Sequence, residues 1–136
     1  MNEPLATAGG LFFFLTFCHF VADWVFQSHE VAMNKHEDRL ARLFHVACYL
    51  CCMYFPFALV LDWRFEFFLI SMAATGATHY IGDSHWPVLL WARLIRRIPE
   101  EQYTTKEPLT LILCLVIDQL WHLLFLLVPV ALAVWG

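Results

Sequence analysis

The sequence predicts an all-α integral membrane protein: a four-helix transmembrane bundle with an interfacial amphipathic helix between the third and fourth spans. Hydrophobic residues make up 61% of the 136 residues and charged residues only 15%, whereas soluble domains are about half apolar and about a quarter charged. A soluble globule of this size has too little interior to hide so much apolar surface. The apolar runs are long and continuous and lack the alternation of a membrane β-barrel, which favours helices over strands.

Each predicted span has the length that a bilayer requires. A hydrocarbon core about 30 Å thick needs about 17–25 helical residues, and the four apolar runs cover residues 5–27, 40–61, 65–83 and 109–135. A polar loop, residues 28–39, joins the first two spans, and a short turn around Asp62–Arg64 joins the second to the third. We therefore expect a single transmembrane domain that takes in residues 1–136.

The connection before the last span predicts the amphipathic helix. Trp86 and Trp91 are followed by a basic cluster that begins at Arg93, a composition that suits a helix lying in the membrane interface. Pro87 suits the first turn of that helix. The lipid bilayer is thus the expected partner of the chain. A nucleic-acid partner is excluded, because the formal net charge is −4 and no basic tract occurs.

The distribution of Lys and Arg predicts the orientation. Only Arg64 lies on one side of the predicted bundle, and the other seven basic residues lie in or beside the first and third connections: Lys35, Arg39, Arg42, Arg93, Arg96, Arg97 and Lys106. We expect a multi-pass protein of the inner (cytoplasmic) membrane. These two connections would lie in the cytoplasm and both termini outside.

Seven His and Asp side chains lie inside the predicted spans, and an ionisable residue at a helix centre costs about 2.5–3.5 kcal/mol. Six of them form three pairs of one His and one Asp. The two residues of a pair are four positions apart and therefore share one helix face. The order within the pair is reversed in the antiparallel fourth span, which places every His deeper than its Asp. We expect the set to converge in the cytoplasmic half of the bundle: His19, Asp23, His45, His79, Asp83, Asp118 and His122.

Imidazole and carboxylate groups together indicate a divalent metal, with zinc as the first choice and manganese, iron or nickel as alternatives. His19, His79 and His122 are the first-choice ligands, and His45 completes the shell. The carboxylates are further ligands, groups that orient a ligating His, or the general base of a reaction, so the candidate catalytic residues are Asp23, Asp83 and Asp118. Seven candidate residues are more than the three or four protein ligands that one zinc ion takes. Either two metals bind, or some of the residues act as a base or orient the ligands. His29, His36 and His85 are expected to be solvated loop residues.

Three functions fit this pattern. The first is a metal-dependent hydrolase that acts on a lipid-linked or phosphate-containing substrate at the cytoplasmic face. The second is a proton or metal-ion transport component, although the outer half of every span reads as almost wholly apolar. The third is a structural or partner-binding membrane protein, including a phage accessory factor, in which the polar residues fix helix register. Four spans are few for a carrier, so transport would require a homo-oligomer.

The ordered polar residues resemble those of a known family. The motifs are His19-Phe-Val-Ala-Asp23-Trp-Val-Phe-Gln27, Met33-Asn34-Lys35, His45, His79-Tyr-Ile-Gly-Asp83 and Asp118-Gln119-Leu-Trp-His122. Together they resemble domain-of-unknown-function family 3307, small bacterial and phage membrane proteins. The resemblance implies a polytopic helical fold and shared polar positions, but no activity. A fainter similarity is to membrane-bound metal-dependent hydrolases, which also place His and Asp in helices.

Overall fold

The computed structural model describes residues 3–60, 64–99 and 108–135, and within these ranges every regular element is a helix, as the sequence predicts. Helix α1 continues directly into a π-helical turn, and a second π turn follows α5. The elements are α1 (Glu3–Phe20), the first π turn (Val21–Val25), α2 (His29–Asn34), α3 (Arg39–Val60), α4 (Phe65–Gly82), α5 (Trp86–Trp91), the second π turn (Ala92–Arg96), α6 (Pro108–Phe125) and α7 (Leu127–Trp135).

The first connection is more ordered than the sequence predicts. Ser28 caps α2, because its hydroxyl accepts a hydrogen bond from the backbone N–H of Val31 at 3.3 Å. Asp38 caps α3 in the same way, and its Oδ1 accepts from the N–H of Leu40 at 2.7 Å. These caps fold residues 28–39 into a short helix and a turn instead of an extended polar loop.

The predicted fourth span is divided in two. Pro129 has no backbone N–H to offer the carbonyl of Phe125, and its ring crowds that carbonyl. The helix accordingly ends at Phe125, and α7 begins at Leu127 after a one-residue turn. The expected helix between spans three and four is present as α5 and the second π turn, with Pro87 in its first turn. The predicted turn at Asp62 and Trp63, and the basic residue Lys106, lie outside the described residues.

Three helical segments are long and apolar enough to cross a membrane: Glu3–Val25 with 23 residues, Arg39–Leu59 with 21 and Pro108–Trp135 with 28. Helix α4 has 18 residues, but Glu66 in its first turn and His79 in its last turn lower its apolar content. Helix length and apolar content therefore confirm three of the expected spans and do not confirm the four-helix membrane bundle.

Packing places α4 at the centre of the described structure. It lies against α3, α6 and α7, while α1 packs against α3 and α7. The apolar core includes Leu15, Met53 and Leu126, each almost fully buried. Large apolar side chains also cover the outer surface, as Phe13 and Phe17 show with 76% and 62% exposure. Beyond the core, α1 and α4 end and α3 begins at a common end of the molecule, where the polar residues meet.

Candidate metal centre

Four buried side chains offer ligand atoms that all lie within 4.8 Å of one another: Asp23, His45, His79 and Asp83. Asp23 comes from the first π turn, His45 from the start of α3, and His79 and Asp83 from the end of α4. None of the four exposes more than 4% of its surface. Three separate elements thus bring two imidazoles and two carboxylates to one point, and we refer to this set as the four-residue cluster.

The separations within the cluster fit the ligand shell of a small cation. His45 Nε2 lies 3.0 Å from His79 Nε2, 2.9 Å from Asp23 Oδ1 and 3.3 Å from Asp83 Oδ2. His79 Nε2 lies 3.3 Å from Asp83 Oδ2 and 4.0 Å from Asp23 Oδ1. A tetrahedral zinc ion with bonds of about 2.0–2.1 Å holds its ligand atoms about 3.3 Å apart. The cluster could therefore hold a metal ion.

The chemistry of the donor atoms supports the same reading. Two Nε2 atoms that face each other at 3.0 Å can share at most one hydrogen bond when both imidazoles are neutral. Two carboxylates beside them add only acceptors. A shared cation satisfies all four groups at once, which hydrogen bonds among these four groups do not, and a buried charge without a partner is costly.

One cation of the protein itself already lies in the cluster. Lys35 Nζ is 3.0 Å from Asp23 Oδ1, 3.0 Å from Asp83 Oδ1 and 3.4 Å from His45 Nε2. Burial lowers the pKa of Lys35, but the carboxylates of Asp83 and Asp23 raise it by more, so its pKa lies above the ordinary value. Lys35 is only 6% exposed, although it lies in the predicted polar loop.

His122 lies beside the cluster, and one of its ring nitrogens is hydrogen-bonded to the backbone. Its Nδ1 lies 2.9 Å from the backbone carbonyl of Asp118, which can only accept, so Nδ1 carries the hydrogen. In the neutral ring Nε2 then presents a lone pair, and this atom lies 3.9 Å from Asp83 Oδ1. Nε2 is buried and has no hydrogen-bond partner within the described ranges. His122 is thus oriented as a further ligand would be.

His19 and Asp118 lie in the layer around the cluster. His19 Nδ1 is 3.0 Å from the Tyr49 hydroxyl, and its Nε2 is 3.1 Å from Gln119 Oε1, so both ring nitrogens have partners. Asp118 Oδ2 lies 3.7 Å from His122 Nδ1. The structure therefore brings all seven predicted residues into one network, four of them tightly and three around those four. Their roles as ligands or catalytic groups stay predictions.

Further residues contribute to the network, and among them Tyr49 is not predicted from the sequence. Gln27, with its amide turned to match its neighbours, accepts from Lys35 Nζ at 3.2 Å and from His45 Nδ1 at 3.3 Å. The Tyr49 ring stacks on His79 with centroids 3.7 Å apart. Tyr49 follows His45 by four residues, a spacing that could have revealed it. Lys35 belongs to the Met33-Asn34-Lys35 motif of the family resemblance, but the sequence does not indicate its burial, because this depends on the tertiary position of α2.

The histidines of the connections are not all solvated. His36 Nδ1 lies 2.9 Å from the backbone carbonyl of Asp83 and donates to it. Its ring stacks on that of His85, with centroids 3.6 Å apart. His85 itself is exposed and has a left-handed backbone with φ of 59°. The prediction of a solvated residue thus holds for His29 and is wrong for His36, which is half-buried and bonded.

An open cavity of about 270 Å³ leads to the cluster. Its apolar wall includes Trp24, Leu111 and Leu115. Its polar wall is formed by residues of the network and its rim: Asp23, Gln27, Lys35, His36, His85, Asp118 and Gln119. A small ion or the polar end of an amphipathic molecule could therefore reach Asp23 without crossing the apolar core.

Comparison with protein families identifies the chain. A family model described as "Protein of unknown function (DUF3307)" matches residues 11–135. The chain belongs to this family. The resemblance inferred from the ordered His and Asp motifs is confirmed, and every residue of the network lies inside the matched range. No curated protein and no solved structure matches this DUF3307 chain. The fainter similarity to membrane-bound metal-dependent hydrolases finds no support in these comparisons.

Proposed function

We propose that this protein is a membrane-embedded metal-binding protein whose centre is the four-residue cluster. The observation that carries the proposal is the approach of two buried imidazole Nε2 atoms and two buried carboxylates from three elements to within 4.8 Å. The donor set of two nitrogens and two oxygens suits zinc, with manganese, iron and nickel as alternatives. His122 Nε2 offers a fifth ligand if the coordination number is higher.

The proposal places α4 as a fourth transmembrane span of the inner membrane. Helices α3, α6 and α7 pack against α4. Its polar residues Ser71, Thr75 and His79 are buried in the bundle while Leu69, Ile70 and Ile81 are exposed, a division that supports a span with one lipid-facing side. The excess of Lys and Arg in the first and third connections supports a cytoplasmic location for the cluster.

Hydrolysis is the finer part of the proposal. A divalent metal in the cluster would supply Lewis acidity toward a phosphate or ester group. The cavity would admit a lipid-linked substrate, with Trp24 and Leu115 against its apolar part. Asp118, whose side chain lines the same cavity, would accept a proton. Asp23 and Asp83 would act as ligands, which removes them from the role of general base.

Metal analysis of the protein purified in mild detergent tests the proposal. We expect about one equivalent of a transition metal, and a loss of affinity of at least about 100-fold in His79→Ala, because a ligand is removed from a buried site. His29→Ala is the matched control, since His29 is exposed on α2 and its removal should leave the metal content unchanged. A wild-type protein without bound transition metal, whose stability is the same in chelator, would sink the proposal.

One observation favours ion transfer as a second candidate function. Ser71, Thr75, His79 and Asp83 follow at intervals of four residues on α4, and all are buried. Tyr54 adds a hydroxyl whose oxygen lies 2.7 Å from both Ser71 Oγ and Thr75 Oγ1. Ser71 places one polar group in the half of α4 that is predicted to be the outer one. This stripe could pass protons or ions away from the cluster.

Flux through liposomes distinguishes the two functions. For ion transfer, purified protein should dissipate a proton or zinc gradient, and Thr75→Val should slow the flux at least about fivefold while metal binding persists. Ser84→Ala, outside the stripe, is the matched control. A gradient that survives with wild-type protein excludes this second candidate.

A further inference from the structure

We propose that the ammonium group of Lys35 neutralises the carboxylates of the four-residue cluster when no metal is bound, and that metal binding moves this group to Asp118. The inference rests on the proposed metal-binding function and adds a regulation of the same site. It assigns two positions to one side chain, one shown by the structure and one indicated by an unpaired carboxylate oxygen.

The position that the ammonium occupies overlaps with that of a bound metal. Nζ lies 3.0 Å from one oxygen of each cluster carboxylate and 3.4 Å from His45 Nε2. A metal about 2 Å from the same groups would lie within a few ångströms of Nζ. Two cations so close repel strongly in a buried site, so metal and ammonium cannot both stay among these ligands.

The backbone of Lys35 is held in place, so the side chain must move alone. Arg42 Nε donates to the carbonyl of Lys35 at 2.7 Å, and Arg42 Nη2 donates to the carbonyl of His36. His36 in turn donates to the backbone carbonyl of Asp83. These bonds fix the start of the lysine chain beside the cluster, while its four-carbon stem can change rotamer.

Asp118 offers the second position. Lys35 and Asp118 both line the cavity of about 270 Å³, which gives the ammonium room to swing. Asp118 Oδ1 is buried and finds no hydrogen-bond partner in the part of the chain that the structure describes. A buried carboxylate oxygen without a donor is costly, and the ammonium of Lys35 is a mobile donor on the same cavity.

Charge balance supports the exchange. In the arrangement seen, one ammonium faces Asp23 and Asp83. With a divalent metal in the cluster, two positive charges face these two carboxylates, and Lys35 becomes free to neutralise Asp118. The metal-bound state thus balances three carboxylates with three positive charges, whereas the arrangement seen leaves an excess of buried negative charge, which a low-dielectric environment disfavours.

Zinc affinity of three variants tests the inference, measured by competition with a chromophoric chelator in detergent. Lys35→Met removes the competing cation, so zinc should bind at least about tenfold more tightly. Asp118→Asn, which is isosteric, removes the second position and should weaken zinc binding by about tenfold. When Lys35→Met is already present, adding Asp118→Asn should leave the zinc affinity unchanged, because no ammonium remains that could move to position 118.

Glu30→Gln is the control, since it removes an exposed negative charge from α2 and should leave zinc affinity unchanged. Unchanged or weaker affinity in Lys35→Met would overturn the inference. The inference would also be overturned if Asp118→Asn changed the zinc affinity equally with and without Lys35, because Asp118 would then act on the metal directly. If Lys35→Met fails to fold, an unchanged affinity in Asp118→Asn alone overturns it. Zinc binding absent from the wild type as well as the variants would reject the proposed function itself.

Discussion

Gly82 shows how closely single residues are fitted around the cluster. A Cβ atom at this position would lie 2.8 Å from Nε2 and 3.1 Å from Cε1 of His122. The ring cannot simply turn away, because its Nδ1 is bonded to the carbonyl of Asp118. Glycine at the end of α4 therefore allows His122 to approach Asp83.

Gly82→Ala should consequently lower both stability and metal affinity. The overlap with a buried ring costs about 1–3 kcal/mol, and displacement of His122 should weaken zinc binding by several-fold. Thermal unfolding in detergent and chelator competition measure the two effects. Gly9→Ala is the matched control, because no described atom lies within 4 Å of a Cβ there and alanine favours the helix by up to about 1 kcal/mol. Equal stability of the two variants would contradict this account.

For single residues, the sequence predicts which side chains belong to the network better than it predicts their hydrogen-bond partners. Polar residues such as His79 and Asp83 are conspicuous inside apolar spans, so their mutual approach could be inferred. The pairing of His19 with Tyr49 and Gln119 could not, because it depends on how α1 rotates against α3 and α6. Lys35 is typical of a surface loop by composition, and only the folded chain shows that two carboxylates draw it inward.

Among the elements, the turn that carries Asp23 departs most from expectation. The spacing of His19 and Asp23 assumes a regular α-helix, but Val21–Val25 is a π turn, which is wider and often occurs at functional sites. Its effect is to end α1 beside the cluster while Gln27 turns back toward His45. Residue periodicity does not reveal such a turn here, since α1 is apolar on every side and has no polar stripe whose register an extra residue would shift.

Helix α4 illustrates why polar residues obscure a span. The third apolar run was recognised at residues 65–83, close to the observed Phe65–Gly82. Glu66 and His79 reduce its apolar content most, and His79 belongs to the cluster. Proline is a local signal for a break in a helix, but it does not decide by itself, because Pro129 follows the division of the last span whereas Pro56 lies inside the continuous α3.

For the molecule as a whole, orientation decides which compartment can reach the metal centre. The cluster lies at the end where α1 and α4 finish, and the first connection, with Ser28 at its start, lies at that same end. Arg64 precedes α4 at the opposite end. The excess of Lys and Arg beside Ser28 predicts that this end faces the cytoplasm.

Thiol labelling of single-cysteine variants tests this orientation. In a background without native cysteines, Arg64→Cys should react with a membrane-impermeant maleimide in intact spheroplasts, because its side chain is 70% exposed on the outer side. Ser28→Cys, also exposed, should react only after permeabilisation. The reverse pattern would place the cluster and its cavity outside. Metal would then enter from the external solution, and a substrate at the cytoplasmic face would be excluded, whereas metal binding itself would stand.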